Sequence, residues 1–212
     1  TIASANDCVA AAEPGEAKIA ARERPMLTID PSPGYWNDCT SAVVEVGHSM
    51  PSIHAGNKEL AAIAERACAA LGIVHGMAHF EARITPGGEI RIIEVGARTG
   101  GDAIMDLVER TYGVNPYQLH VASYLGQPLG QPASLAARGL SAIAFIKAAE
   151  GLIEAVSPPK ALPGSIVNMQ ITGKPLDRSD QPLSWRAREG SLEFFWKGRQ
   201  PERGFDEHLS AA

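Results

Sequence analysis

Two stretches of alternating side chains joined by a proline-glycine-glycine turn constrain this chain more than any other feature. Residues 73–85 (IVHGMAHFEARIT) and 89–95 (EIRIIEV) flank Pro86, Gly87 and Gly88. That spacing predicts an antiparallel hairpin. Closed symmetrically about Pro86 and Gly87, it sets Glu81 opposite Ile92 and His79 opposite Glu94. Side chains alternate along a strand, so His79, Glu81, Arg83, Ile90, Ile92 and Glu94 are expected on one face. Glu81 and Glu94 are then diagonal neighbours, about 7–8 Å apart at the backbone. Two carboxylates so placed suit a hard cation, because magnesium takes one or two carboxylates together with phosphate oxygens rather than a full protein cage. The pairing depends on register, and one bulged residue would change it.

Glu94 interrupts an otherwise apolar run, Ile92, Ile93 and Val95. Gly96, Arg98, Gly100, Gly101 and Asp102 follow before a helical pattern expected over 102–112. Gly100 and Gly101 permit close backbone approach. A guanidinium beside a helix N-terminus is an anion-binding arrangement, so Arg98 and the start of this helix are a candidate phosphate site. The glycines match neither GxGxxG nor GxxxxGK[ST], which excludes the usual dinucleotide and P-loop readings. His79-Phe80-Glu81 has the H-x-E of zinc deaminases, but the P-C-x-x-C that must accompany it is absent.

The rest of the chain reads as a mixture of helices and short strands, an α+β pattern. A helix is expected after Asn57, its N-cap, and before Gly72, with Leu60, Ile63, Ala64, Ala67, Cys68 and Leu71 as its buried stripe. Asn115 and Pro116 open another helix that Gly126 stops. Residues 1–14 read as a loop or a poor helix, 18–24 as a short strand, 31–39 as a loop and 42–48 as a strand. Glycine and proline punctuate 126–139, which reads as a boundary. Beyond it, 141–146, 152–156, 166–171, 184–188 and 191–196 read as strands of a small β-rich module.

With 45% hydrophobic and 20% charged residues the composition is globular. A net charge of −5 without a basic block argues against nucleic-acid binding. No apolar run approaches the ~18 residues of a membrane span. Cys8, Cys39 and Cys68 lack CxxC spacing, which suits free thiols in a reducing, cytoplasmic setting and offers no zinc site. The first residues lack an initiator methionine and the features of a signal peptide, and read like the interior of a longer protein.

The segment MAHFEARITPGGEIRIIEVGARTGGD, residues 77–102, resembles the metal- and phosphate-binding core of the ATP-grasp ligases. The resemblance runs from about residue 17 to the end. It implies an ATP-grasp-like antiparallel sheet with helices on its faces, followed by the β-rich module. It further implies ATP and Mg2+ as cofactors, with Mn2+ as a substitute metal. Glu81 and Glu94 match the carboxylates that hold magnesium on ATP, Arg98 the arginine on phosphate and intermediate, and Gly101 a backbone position near the phosphate. Many members keep an asparagine where this chain has Gly96; the E-x-G-x-R-x-G-G-D form is similar to the L-amino-acid ligase branch. VVEVGHSMP, residues 43–51, is similar to the segment in which those ligases place a glutamate and a histidine at the amino-acid substrate, matched by Glu45 and His48.

The activity implied is ATP-dependent joining of a carboxylate to an amine through an acyl phosphate, on amino acids or similar small molecules, with His48 orienting the substrate or taking a proton. A homodimer is compatible with this reading. The division implied is 1–126 for the C-terminal part of the ATP-grasp domain, 127–139 for a linker and 140–212 for the small module, with the N-terminal and lid domains outside the chain. The alternatives are ligation onto a nucleotide precursor or a thioester, or a binding module that keeps the fold without turnover. A nicotinamide dehydrogenase is disfavoured for want of the glycine fingerprint.

Overall fold

The computed structural model describes residues 3–10, 26–32, 46–85, 87–127, 136–158, 165–179 and 185–198. The strands are β1 (Ala3–Ala10), β2 (Met26–Ser32), β3 (Gly47–Met50), β4 (Met77–Ile84), β5 (Ile90–Gly96), β6 (Gly139–Ile146), β7 (Gly151–Leu152), β8 (Ile166–Ile171), β9 (Arg178–Ser179) and β10 (Gly190–Lys197). The helices are α1 (Lys58–Ala70), α2 (Ile104–Tyr112) and α3 (Pro116–Tyr124). Eight strands form one sheet in the order β5-β4-β1-β2-β3-β6-β10-β8, and every neighbouring pair is antiparallel. β7 and β9 make a separate two-stranded ribbon. The strands that follow the boundary segment continue the same sheet, because β6 pairs with β3 on one side and β10 on the other.

The helices cover opposite faces, and the alternation of β4 shows how. Ala78, Phe80 and Ala82 pack under Leu60, Ala64 and Cys68 of α1. Asn57 caps α1 as expected: its side chain accepts from the amides of Glu59 and Leu60 at 3.0 and 3.1 Å. Gly72 (φ +68) follows the helix end. Leu71 is not part of the buried stripe; α1 ends one residue earlier and leaves it 61% exposed. The opposite face of β4 begins with Met77, which joins Met50 and Ile143 beneath Ile104, Met105, Leu107 and Val108 of α2. Buried Thr111 ties α2 to the sheet, its hydroxyl 2.9 Å from Ser141 Oγ and 3.3 Å from the Met50 carbonyl oxygen.

Within the stretch expected as a loop or poor helix, residues 3–10 instead form a central strand. Its sequence, ASANDCVA, is poor in β-formers. It is held instead by ladders to β2 and β4, one on each edge. Pro31 and Ser32, expected in a loop, belong to β2. β3 carries on through Gly47 to Met50 rather than ending at His48, while 42–45 and the strand expected over 18–24 lie outside the described residues. Of 152–156 only Leu152 is in a strand, and 185–187 form a 3-10 turn instead of a strand.

α3 fixes where β4 starts. Asn115 caps it through the Gln118 amide at 3.0 Å. Ser123 Oγ accepts from the Gly76 amide at 2.8 Å, and His120 Nδ1 from the Met77 amide at 3.0 Å. Gly76 has φ +76, and a Cβ there would come within 2.6 Å of the Tyr124 ring. The backbone angle therefore favours glycine, and any side chain would also have to displace the Tyr124 ring. Gly76→Ala is expected to lower stability by about 1–3 kcal/mol, read as a reduced midpoint of urea denaturation.

Candidate active site

The face of β4 that α1 does not cover carries the polar cluster. The hairpin has an irregular register: His79 faces Gly96, Phe80 faces Val95 and Glu81 faces Glu94, whereas Ala82 faces Ile92. Ile93 is the extra residue of a β-bulge. This corrects the expected facings. Glu81 does not oppose Ile92, nor His79 Glu94; the carboxylates are direct partners rather than diagonal ones. Ile90 moves to the other face, where it packs into the α1 cluster.

Each carboxylate is oriented by a base. His79, buried, places Nε2 2.7 Å from Glu81 Oε1. That hydrogen bond is the largest influence on Glu81; burial works against it, and the fields of His79, Arg98 and His48 support it, so the carboxyl stays below its ordinary 4.5. Glu94 lies on β5, the sheet edge, and is half exposed rather than covered. Arg98 turns back on it, Nη2 donating to Glu94 Oε1 at 2.6 Å. Gly96 makes that return path available, since a Cβ there would stand 3.3 Å from Arg98 Cγ and Nε.

The turn after β5 differs from the expected helix start. α2 begins at Ile104, not at Asp102; Asp102 and Ala103 take left-handed backbone angles, φ 50 and 60. Ala103 supplies no side-chain cap. Gly100 lies against Ile104, with only 2.9 Å between an added Cβ and Ile104 Cγ2, while Gly101 faces open space. Asp102 points at two partners. Arg188 Nη1 lies 2.8 Å from its Oδ2, and His48 Nε2 3.6 Å from the same atom. His48 is fully buried on β3. Phe145 supports both partners: the Arg188 guanidinium sits 3.6 Å from its ring centroid, and His48 meets it edge-on at 5.7 Å.

The structure thus brings together Glu81, Glu94 and Arg98, and links His48 to the end of the glycine turn through Asp102. Glu45 lies outside the described residues. Sequence reading missed Asp102 as a side chain, Arg188 and Phe145. An arginine within SWRAREG carries no spacing signal that points to residue 102.

Among the described residues no group of three or more His, Cys, Asp or Glu is arranged to hold a metal ion by itself. Two facing carboxylates, each with one oxygen already oriented, fit a magnesium whose remaining ligands are phosphate and water oxygens. No helix among the described residues is long and apolar enough to cross a membrane.

No family model matches the chain, and no curated protein matches it. Solved structures do. Phosphoribosylglycinamide synthetase from Anaerococcus prevotii superposes with a TM-score of 0.72 at 14% identity, over 98% of this chain and 50% of that one. L-amino acid ligase from Bacillus licheniformis gives 0.74 at 16% identity, over 99% and 49%. The biotin carboxylase domain of Hydrogenobacter thermophilus 2-oxoglutarate carboxylase, in a complex with MgADP and bicarbonate, gives 0.59 at 13% identity, over 92% and 42%. The fold is α+β, an ATP-grasp-like antiparallel sheet with helices on its faces. The chain spans about half the length of the first two of these proteins.

The Asp102 contacts have a consequence for acid stability. Burial alone pushes its carboxyl up, but the neighbouring His48 and the hydrogen bond from Arg188, with the fields of both, bring it down from 3.8 to about 2. A depressed carboxyl stabilises the fold above its ordinary value, and that contribution is lost as pH falls through the folded value. Wild type should lose up to about 2 kcal/mol more than Asp102→Asn on acidification from about pH 4 to about pH 2, measured by denaturation at each pH. Equal losses would refute it.

Proposed function

We propose that this chain is the magnesium- and phosphate-binding part of an ATP-dependent ligase that joins a carboxylate to an amine, with amino acids as substrates. The observation that carries the reading is the direct facing of Glu81 and Glu94 beside Arg98, on a sheet of ATP-grasp-like fold. A carboxylate oxygen attacks the γ-phosphorus of ATP, the bond to the β-phosphate oxygen breaks, and ADP leaves. The amine attacks the resulting acyl phosphate; inorganic phosphate departs and the amine loses a proton.

Glu81 and Glu94 would hold a magnesium ion, whose charge would offset that of the phosphates. His79 fixes the Glu81 carboxylate and, with Arg98 and His48, keeps it ionised. Arg98 is exposed enough to exchange its bond to Glu94 for a phosphoryl oxygen, and its planar fork suits that partner. Gly100 and Gly101 let the backbone approach the same anion, Gly101 being unobstructed. Glu45 pairs with a substrate ammonium. His48 is fully buried between Phe145 and Asp102, so its part in orienting the substrate or moving its proton would run through Asp102. Residues 1–126 carry the candidate metal and phosphate groups, and the strands beyond the boundary segment, β6, β8 and β10, extend the same sheet.

A second reading has its own support. Phosphoribosylglycinamide synthetase superposes about as well as L-amino acid ligase, with TM-scores of 0.72 and 0.74. The amine acceptor in that reading is a nucleotide precursor.

The test is ADP and phosphate release by the protein that carries this chain, given ATP, magnesium and either amino-acid pairs or glycine with a phosphoribosylamine. Turnover with amino-acid pairs supports the first reading, turnover only with the sugar phosphate the second, and none with either refutes both. In the active system Glu94→Gln should cut magnesium-dependent ADP formation by about a hundredfold or more; wild-type rates would remove Glu94 from the metal. Arg98→Ala should slow phosphate release by about 10²–10³-fold while leaving the denaturation midpoint nearly unchanged, as its ion pair is exposed.

A further inference from the structure

We infer that Arg188 is a positioning residue for the nucleotide site, acting through Asp102 at the end of the glycine turn. The inference rests on the nucleotide-binding reading above. Asp102 closes the turn that begins at Gly96 and carries Arg98, Gly100 and Gly101. Its backbone is left-handed, as is that of Ala103. Such conformations persist only where surrounding contacts over-determine them. Here the contact comes from the far end of the chain: Arg188, just before β10, brings Nη1 to 2.8 Å from Asp102 Oδ2. Arg188 is itself fixed, 11% exposed and seated on Phe145 of β6. His48 stands on the same ring and the same carboxylate.

The pairing has an electrostatic purpose. A candidate phosphate turn that ends in a carboxylate presents one negative charge to an incoming anion. Arg188 offsets that charge by pairing with Asp102 Oδ2 at 2.8 Å, so the turn itself adds little net negative charge to the candidate phosphate site. With Arg188 removed, Asp102 keeps only the more distant His48, and a partly buried, less compensated carboxylate remains beside the candidate phosphate site, which is costly for anion binding. Asparagine keeps the shape of Asp102 and tolerates left-handed angles, but carries no charge. The mechanism therefore has a specific remedy: neutralising Asp102 should compensate for losing Arg188.

MgADP binding is titrated calorimetrically for wild type, Arg188→Met, Arg188→Lys and the double variant Arg188→Met/Asp102→Asn, each as the full protein, with denaturation midpoints measured alongside. Arg188→Met should weaken MgADP by about tenfold or more, Arg188→Lys by less, and the double variant should recover to within about threefold of wild type. Unchanged affinity in folded Arg188→Met overturns the inference. So does a loss of affinity that Asp102→Asn fails to restore, since Arg188 would then act by another route. If Arg188→Met does not fold, the double variant and Arg188→Lys decide: the double variant binding more weakly than Arg188→Lys overturns it. Wild type that binds no MgADP refutes the nucleotide reading itself, and this inference with it.

Discussion

One extra residue in β5 sets the geometry on which the candidate site depends. Ile93 has no partner in β4, so the register steps by one between Ala82 and Glu81. Before the step, toward the turn, Ile90 and Ala82 bury themselves under α1. After it, Glu94 shares a face with Glu81 instead of pointing the other way from it. A regular ladder continued from Ala82 and Ile92 would have set Glu81 against Ile93 and sent Glu94 to the α1 side. The bulge lets a single strand serve an apolar core near the turn and a polar site beyond it. It also accounts for the exposed Ile92 and Ile93, which sit where the edge strand changes face.

The hairpin was legible because its turn chemistry is local. Its register was not, since a bulge is decided by which face of each residue α1 buries, and that is a tertiary fact. The same division holds elsewhere. Asn57, Asn115, Gly72 and Gly126 mark helix ends through short-range hydrogen bonds and backbone angles, and each stands where reading the sequence placed it. β1 and β2 escaped because Ala, Ser, Asn, Asp and Pro are weak strand formers; two paired edges supply what intrinsic preference does not. Of the candidate site, Glu81, Glu94 and Arg98 could be named from spacing along one hairpin. Asp102 and Arg188 meet only once the strands between β5 and β10 are laid in order.

Gly96 gains a physical account from the position of Arg98. Where relatives by resemblance keep an asparagine, this chain keeps open space, and the Arg98 stem lies in it. A side chain there would push against Arg98 Cγ and Nε and disturb the 2.6 Å bond to Glu94. The glycine thus leaves room for the Arg98 stem on its way to the carboxylate. An exposed ion pair of this kind contributes little to stability. Its effect is to hold the guanidinium and the carboxylate side by side at the sheet edge.

Continuity of the sheet makes the two ends of the chain interdependent. β6 and β10 lie four and five strands away from β4, yet β6 carries Phe145, and Arg188, just before β10, rests on that ring and reaches Asp102 at the end of the turn that follows β5. His48, midway on β3, contacts the same ring and the same carboxylate. A change in how β10 is seated is therefore felt at the glycine turn through one guanidinium and one aromatic ring, without a shift of the hairpin itself. The polar groups of the site are divided along that line. Glu81, His79, Glu94 and Arg98 belong to one hairpin and its turn and are set by local register. His48, Asp102 and Arg188 are set by the order of the strands, and the Asp102 carboxylate is where the two sets join.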